Sequence, residues 1–145
     1  MKLSTKGRYG VRLMLDLAQH YGQSPVVLKD ISKRQDVSEK YLWQLVPPLK
    51  NAGLITSTRG SKGGYTLAKS PEKIDLEEIV SLLEGPICFV DCVDEPSACK
   101  RISSCATSDV WRGMAVIIKK YLSGITLRDL VEKQINKGKA LNYSI

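Results

Sequence analysis

SEKYLWQLVPPLKNAGLITSTRGSKGGYTLA, residues 38–68, decides the fold. Ser38 is placed to cap a helix from Glu39 to about Asn51, in which Leu42, Leu45, Val46 and Leu49 recur at the three- and four-residue spacing of one apolar face. Pro47-Pro48 falls inside that pattern and predicts a kink or a restart, because proline removes a helical donor and its ring crowds the preceding turn. Gly53 supplies the stop. Two short β segments follow, Leu54 to Thr58 and Tyr65 to Ala68, joined by Arg59-Gly60-Ser61-Lys62-Gly63-Gly64. The glycines offer the positive-φ conformations a hairpin needs, and two cations sit at its tip.

Toward the N-terminus, Ser4 can cap a first helix reaching about Tyr21, with Tyr9, Leu13, Met14, Leu17 and Ala18 on one face and Gly22 as its end. Beyond Ser24-Pro25, Leu28 to Arg34 reads as a second helix and Gln35-Asp36-Val37 as a tight turn. Helix, helix, turn, helix and basic hairpin is the order of a winged helix-turn-helix. Its second motif helix enters the major groove of DNA while the hairpin reaches phosphates or the adjacent minor groove. Residues at the start of that helix meet base edges: here Ser38, Tyr41 and Gln44, a hydroxyl that donates or accepts and an amide that pairs with adenine. Arg59, Ser61 and Lys62 on the hairpin, with Lys6 and Tyr9 on the first helix, complete the candidate DNA-binding set. A small helical adaptor with a solvated, charged hairpin is the competing interpretation of the same pattern.

Toward the C-terminus, Asp75 and Glu78 form a capping box and Ile74 can staple onto Ile79, giving a helix over Leu76 to Glu84 that Gly85-Pro86 ends. From Ile87 to about Thr107 periodicity disappears, and cysteine, acidic and small residues mark a functional loop. A long helix then carries Trp111, Met114, Ile118 and Leu122 on one stripe, widened by Val116 and Ile117. That is more apolar surface than a solvated helix leaves exposed, so it should pack against a partner. Thr126 and Asp129 cap a last short helix. The resulting organisation is a winged helix-turn-helix DNA-binding region at 1–70, a connecting helix at 71–86 and a cysteine-rich loop at 87–107. A dimerisation helix and the short helix follow at 108–133, with a polar tail at 134–145. The fold class is mostly α with a small β-hairpin.

Charge is segregated along the chain. Residues 1–70 hold 12 Lys or Arg against 4 Asp or Glu, residues 71–110 hold 3 against 9, and residues 111–145 hold 7 against 2, for a net +7. A basic N-terminal half raises local phosphate concentration and suits nucleic acid. No apolar run approaches the roughly 20 residues of a membrane span, and the basic N-terminus lacks the apolar stretch of a secretory signal, so a cytoplasmic protein without membrane contact is expected.

All four cysteines, Cys88, Cys92, Cys99 and Cys105, fall on the irregular loop, with three, six and five residues between them. Structural zinc sites favour paired C-x2-C knuckles and redox pairs favour a single one. Wide spacing on a flexible loop fits thiolates wrapped round a metal cluster larger than one ion, with zinc, redox and purely structural roles as the alternatives. No histidine lies near these cysteines to serve as a base, which speaks against an enzyme with a cysteine nucleophile, and no small-molecule substrate is expected.

Leu3-Ser4-Thr5-Lys6-Gly7-Arg8-Tyr9-Gly10, Tyr41-Leu42-Trp43-Gln44-Leu45, Arg59-Gly60-Ser61-Lys62-Gly63-Gly64-Tyr65, Leu82-Leu83-Glu84-Gly85-Pro86 and Ile125-Thr126-Leu127 resemble the Rrf-type winged-helix transcription regulators over most of the chain. Within that family the loop is similar to the IscR group, with CymR-like sequence elsewhere. The resemblance implies a homodimer whose long C-terminal helices cross-pack, binding double-stranded DNA at a palindromic operator through Ser38, Tyr41, Gln44 and the Arg59 hairpin. It implies an iron-sulfur cluster on Cys92, Cys99 and Cys105, [2Fe–2S] ahead of [4Fe–4S], and regulation of cluster-biogenesis genes. Control of cysteine metabolism or of the nitric oxide response in the same family is the alternative, with a zinc-stabilised adaptor outside it. Three positions depart from the pattern. Ser108 stands where IscR-like proteins carry a histidine ligand, which leaves the fourth ligand open among Cys88, Ser108, Asp91 and Asp109. Arg8 stands where other members supply an acidic one. Trp43 occupies a position that is often glutamate and helps select the operator type; as an indole it is equally readable as a buried anchor.

Overall fold

Ser4 and Ser38 accept the backbone N–H groups of Gly7 and Tyr41 at 3.2 and 3.1 Å, which fixes where the first and third helices begin. In the computed structural model, which describes residues 2 to 143, α1 (Thr5–Gln19), α2 (Leu28–Gln35) and α3 (Glu39–Asn51) precede an antiparallel hairpin of β1 (Ile55–Thr58) and β2 (Gly64–Leu67). After a 3-10 turn at Pro71–Lys73 come α4 (Leu76–Glu84), the single turn α5 (Asp91–Asp94), α6 (Ala106–Ser123) and α7 (Leu127–Tyr143). The architecture is mostly α with one small two-stranded sheet.

One core joins the first three helices to α4 and the start of α7. Leu13, Met14, Leu17, Ile31, Leu42, Leu45, Leu49, Leu54, Ile55, Ile74, Ile79 and Leu127 are all essentially withdrawn from solvent. Burying each such side chain contributes roughly 2 kcal/mol of transfer free energy.

The structure departs from the sequence-based expectations at several points. The third helix runs as one element through Pro47 and Pro48. The carbonyls that lose their donors belong to Trp43 and Gln44, which face solvent and can be satisfied by water. The hairpin ladder starts at Ile55 and not Leu54, because the Leu54 N–H donates to Leu49 O at 3.0 Å and ends the helix instead. Only half of the Asp75 capping box forms. Asp75 Oδ1 accepts the Glu78 N–H at 2.9 Å, while the Glu78 carboxylate turns to Lys69 Nζ at 3.1 Å.

The last helix extends to Tyr143, so the expected short helix and polar tail at 134–145 are replaced by a helix of 17 residues; Ser144 and Ile145 lie outside the described residues. Its first turn is anchored by buried Leu127, by Thr126 and Asp129 capping each other, and by Arg128 reaching Glu72 at 3.3 Å and Glu132 at 3.1 Å. Once nucleated, Glu132 to Leu141, rich in strong helix formers, propagates it. Among the described residues no helix is long and apolar enough to cross a membrane.

Candidate nucleic-acid interface and cysteine loop

The candidate base-reading side chains occupy the first turns of α3. Ser38 is exposed and accepts the Tyr41 N–H, leaving its own O–H as a donor, and Gln44 stands exposed two turns on. Tyr41 is half-buried: its ring meets Tyr9 of α1 edge-on at 5.6 Å, and the guanidiniums of Arg8 and Arg12 lie 5.7 and 5.5 Å from the Tyr9 ring centre. Tyr41 and Tyr9 thus form a joint between α1 and α3, with the exposed Lys6 on the turn before it.

Arg59, Ser61 and Lys62 all lie exposed on the hairpin tip. Gly64, at φ +150°, is required by close approach, since a Cβ there would lie 2.6 Å from Val26 O. That approach lets Val26 and Tyr65 exchange backbone hydrogen bonds at 2.9 and 2.8 Å, tying the hairpin to the segment before α2. Trp43 is not a buried anchor: it is 55% exposed and meets Tyr65 edge-on at 6.4 Å. Together with Glu39, Val27 and Arg59 the pair lines a groove of about 390 Å³ between α3 and the hairpin.

Beneath this surface lies a charge that sequence periodicity does not reveal. Asp16 is fully buried, held by a two-pronged contact from Arg34 (Nη2 to Oδ1 2.8 Å, Nε to Oδ2 3.0 Å) and by Gln35 Nε2 at 3.0 Å. The Arg34 guanidinium is held further toward its charged form, above its ordinary pKa, by that hydrogen bond. His20 closes α1 with Nδ1 2.8 Å from Asp16 O, as a capping residue distant in sequence from the cysteines. The network sets α2 against α1 and so helps fix the turn that presents α3.

The cysteine loop is a chain of single turns: α5, then 3-10 turns at Pro96–Ala98 and Ile102–Ser104. Cys88, Cys92, Cys99 and Cys105 are all half-buried free thiols. Cys105 precedes the first residue of α6, where the Thr107 hydroxyl 3.2 Å away and the Ser108 amide favour the thiolate and lower its pKa. Cys88 Sγ donates to Val90 O at 2.9 Å. Ser108 is buried and its hydroxyl donates to Cys105 O at 2.7 Å, while Asp109 pairs with Arg112 at 3.0 Å and Asp91 is exposed at the start of α5. Among the described residues no three His, Cys, Asp or Glu side chains are gathered into a group that could hold a metal ion. Three accessible thiols suit iron-sulfur ligation in donor chemistry, but the loop as folded does not assemble them.

A second feature beyond the reach of local sequence patterns joins the loop to the reading helices. Glu84 is the last residue of α4, immediately before the loop, and its Oε1 accepts the N–H groups of Ser4 and Gly7 at 3.1 and 3.0 Å as well as the Ser4 hydroxyl. The contact spans 77 to 80 residues of chain.

The family model of the Rrf2 group, described as an iron-dependent transcriptional regulator, matches residues 3–133. The HTH-type transcriptional regulator CymR of Bacillus subtilis is 42% identical over 130 residues, 90% of this chain and 89% of that one. A solved structure of the same protein, described as a global cysteine regulator, aligns with a TM-score of 0.78 at 40% identity, covering 92% of this chain and 98% of that one. IscR of Aliivibrio salmonicida is 40% identical over 131 residues, 90% of this chain and 77% of that one. The structure of T. potens IscR aligns with a TM-score of 0.76 at 42% identity, covering 92% of this chain and 88% of that one. These relatives are transcriptional regulators, not enzymes.

Proposed function

The chain belongs to the Rrf2 family of transcriptional regulators, and on that premise we propose that it is a cytoplasmic homodimer whose grip on a palindromic operator is set by an iron-sulfur cluster. The observation that carries this reading is the confinement of every cysteine to one loop between α4, which touches the start of α1, and α6. Cys92, Cys99 and Cys105 would hold the cluster, their thiolates ligating its iron, and the bound group would supply an oxidant- and iron-sensitive occupancy that the protein senses by its presence or loss. The part played by the chain is mechanical. The N-terminal end of α3 lies in the major groove, where the Ser38 hydroxyl donates to a base edge and the Gln44 amide pairs with adenine. Arg59 and Lys62, with Ser61 between them, reach phosphates, and Lys6 adds charge beside the Tyr9–Tyr41 joint. Val116, Ile117 and Tyr121, exposed on α6, would be covered by the second protomer.

Among the fourth-ligand candidates, Ser108 and Cys88 each donate to a backbone carbonyl and Asp109 pairs with Arg112; thiolate donor chemistry favours Cys88, with Asp91 as the exposed oxygen alternative. By linkage, the cluster changes operator affinity only as far as its own affinity differs between the two conformations of the loop. Similarity to CymR supports a second reading in which the loop answers to cysteine metabolism without a cluster.

Metal and sulfide analysis of anaerobically purified protein, with its visible spectrum, separates the readings. Iron with acid-labile sulfide supports the cluster, zinc alone supports an adaptor, and neither supports the cysteine-metabolism reading. Equal operator affinity of the reconstituted protein and of the Cys92, Cys99, Cys105 triple serine variant at fixed salt overturns cluster control.

A further inference from the structure

We propose that Glu84 is a positioning residue that transmits the state of the cysteine loop to the DNA-reading helices by clamping the end of α4 to the beginning of α1; the inference rests on the regulatory reading above. The Ser4 and Gly7 N–H groups belong to the first turn of α1, where helix geometry leaves donors unpaired and the local dipole favours an anion. The Glu84 carboxylate fills that place from a different helix. The clamp requires Gly7, because a Cβ there would occupy the position of the carboxylate, and Gly10 one turn later gives Leu83 the same clearance.

What lies on either side of the clamp makes it a coupling element. On one side, Gly85 at φ +90° turns the chain out of α4, and Pro86 and Ile87 lead directly to Cys88. Lys2 and Leu3, ahead of α1, line the same cavity of about 450 Å³ as Cys88, Phe89 and Ile118. On the other side, α1 carries Tyr9 against Tyr41 of α3. A displacement of the loop at Cys88 therefore has a polar route to the reading helix, through the Glu84 carboxylate and the pair of rings, beside the apolar packing of α4 on α1 and α3. Ser4 and Glu84 are exposed, so the clamp can open without unfolding the core beneath it.

The test compares the ratio of operator affinities, reconstituted over unreconstituted protein at fixed salt, for the wild type, Glu84→Ala, Glu84→Gln and Gly7→Ala. Typical coupling of this kind is about tenfold. Glu84→Ala should bring the ratio to within about twofold of one, while Glu84→Gln, which keeps an acceptor oxygen in place, retains most of it. Gly7→Ala displaces the carboxylate while improving the helix propensity of α1. A purely structural role predicts a shift in thermal midpoint with the ratio unchanged in both variants; the clamp predicts the same loss of ratio in both. Amide exchange at Ser4, whose N–H is accepted by Glu84, gives an independent reading in cluster-free protein, slower in the wild type and Glu84→Gln than in Glu84→Ala. Wild-type ratios in both Glu84→Ala and Gly7→Ala overturn the clamp alone. A ratio of one in the wild type, whether or not a cluster loads, overturns the regulatory reading and the clamp with it.

Discussion

Leu42, Leu45 and Leu49 of α3 are no more than 1% exposed, whereas Val116, Ile117 and Tyr121 of α6 stand 58, 68 and 67% in solvent. Both helices carry an apolar stripe at similar spacing. The stripe of α3 is consumed inside its own chain, against α1, α2 and the hairpin. Only Ala115 and Ser108 of α6 are buried, so most of its apolar surface has no counterpart within one protomer. An amphipathic stripe thus specifies that a surface must be covered, not which molecule covers it.

The largest effect that separates the two regions should come from the α3 core. Leu45→Ala leaves a cavity in a packed interior and should lower unfolding free energy by about 3 kcal/mol, read from a shifted urea midpoint at constant slope. Arg34→Met should follow at about 2 kcal/mol, because it strips a buried carboxylate of its two-pronged partner while the partly exposed arginine had little to lose. Ile117→Glu should change unfolding of the protomer by less than about 0.5 kcal/mol, yet move the protein to monomer in sedimentation and weaken operator binding. If it destabilises the chain as much as Leu45→Ala, the contrast between α3 and α6 is wrong. Arg59→Ala and Lys62→Ala should leave stability unchanged and each reduce the slope of log affinity against log salt by about 0.9.

The smallest effect is at α7. Asp129 accepts the Thr126 N–H and then its hydroxyl, which lowers the carboxyl pKa below its ordinary value. The unfolded chain therefore binds more protons in the acid range. The contribution of the cap is fully present above the unfolded pKa of about 3.9 and disappears as pH falls through the lower folded value. Asp129→Asn should flatten that acid limb in a circular dichroism titration.

Local signals explain most of what could be read in advance. Ser4, Ser38 and Asp75 declare helix starts because a cap involves only four consecutive residues, and the glycines of the hairpin declare a turn because it too is local. Glu84 on Gly7 and Arg34 on Asp16 join residues 77 and 18 positions apart, and no periodicity points to either. The extension of α7 was obscured by its polarity, since a helix anchored by Leu127 at one end needs no apolar face at the other. In the candidate site, residue types on the loop indicate thiolate chemistry, but their assembly depends on a loop conformation that short single turns do not dictate.

The two backbone bonds between Val26 and Tyr65 have a further consequence. With the Leu54 N–H on Leu49 O and Lys50 on Ser57, which join α3 to β1, they make the hairpin and α3 a caliper of set width, with Trp43 and Tyr65 as the packing between its jaws. Such a tool does not adjust to the groove it grips. On the proposed reading, an operator would have to supply the spacing between bases met by α3 and phosphates met by Arg59 and Lys62, and one whose groove is too wide or too narrow would have to be deformed to fit. Sequence preference would then extend to base pairs that no side chain touches, through the stiffness of the DNA between the two jaws.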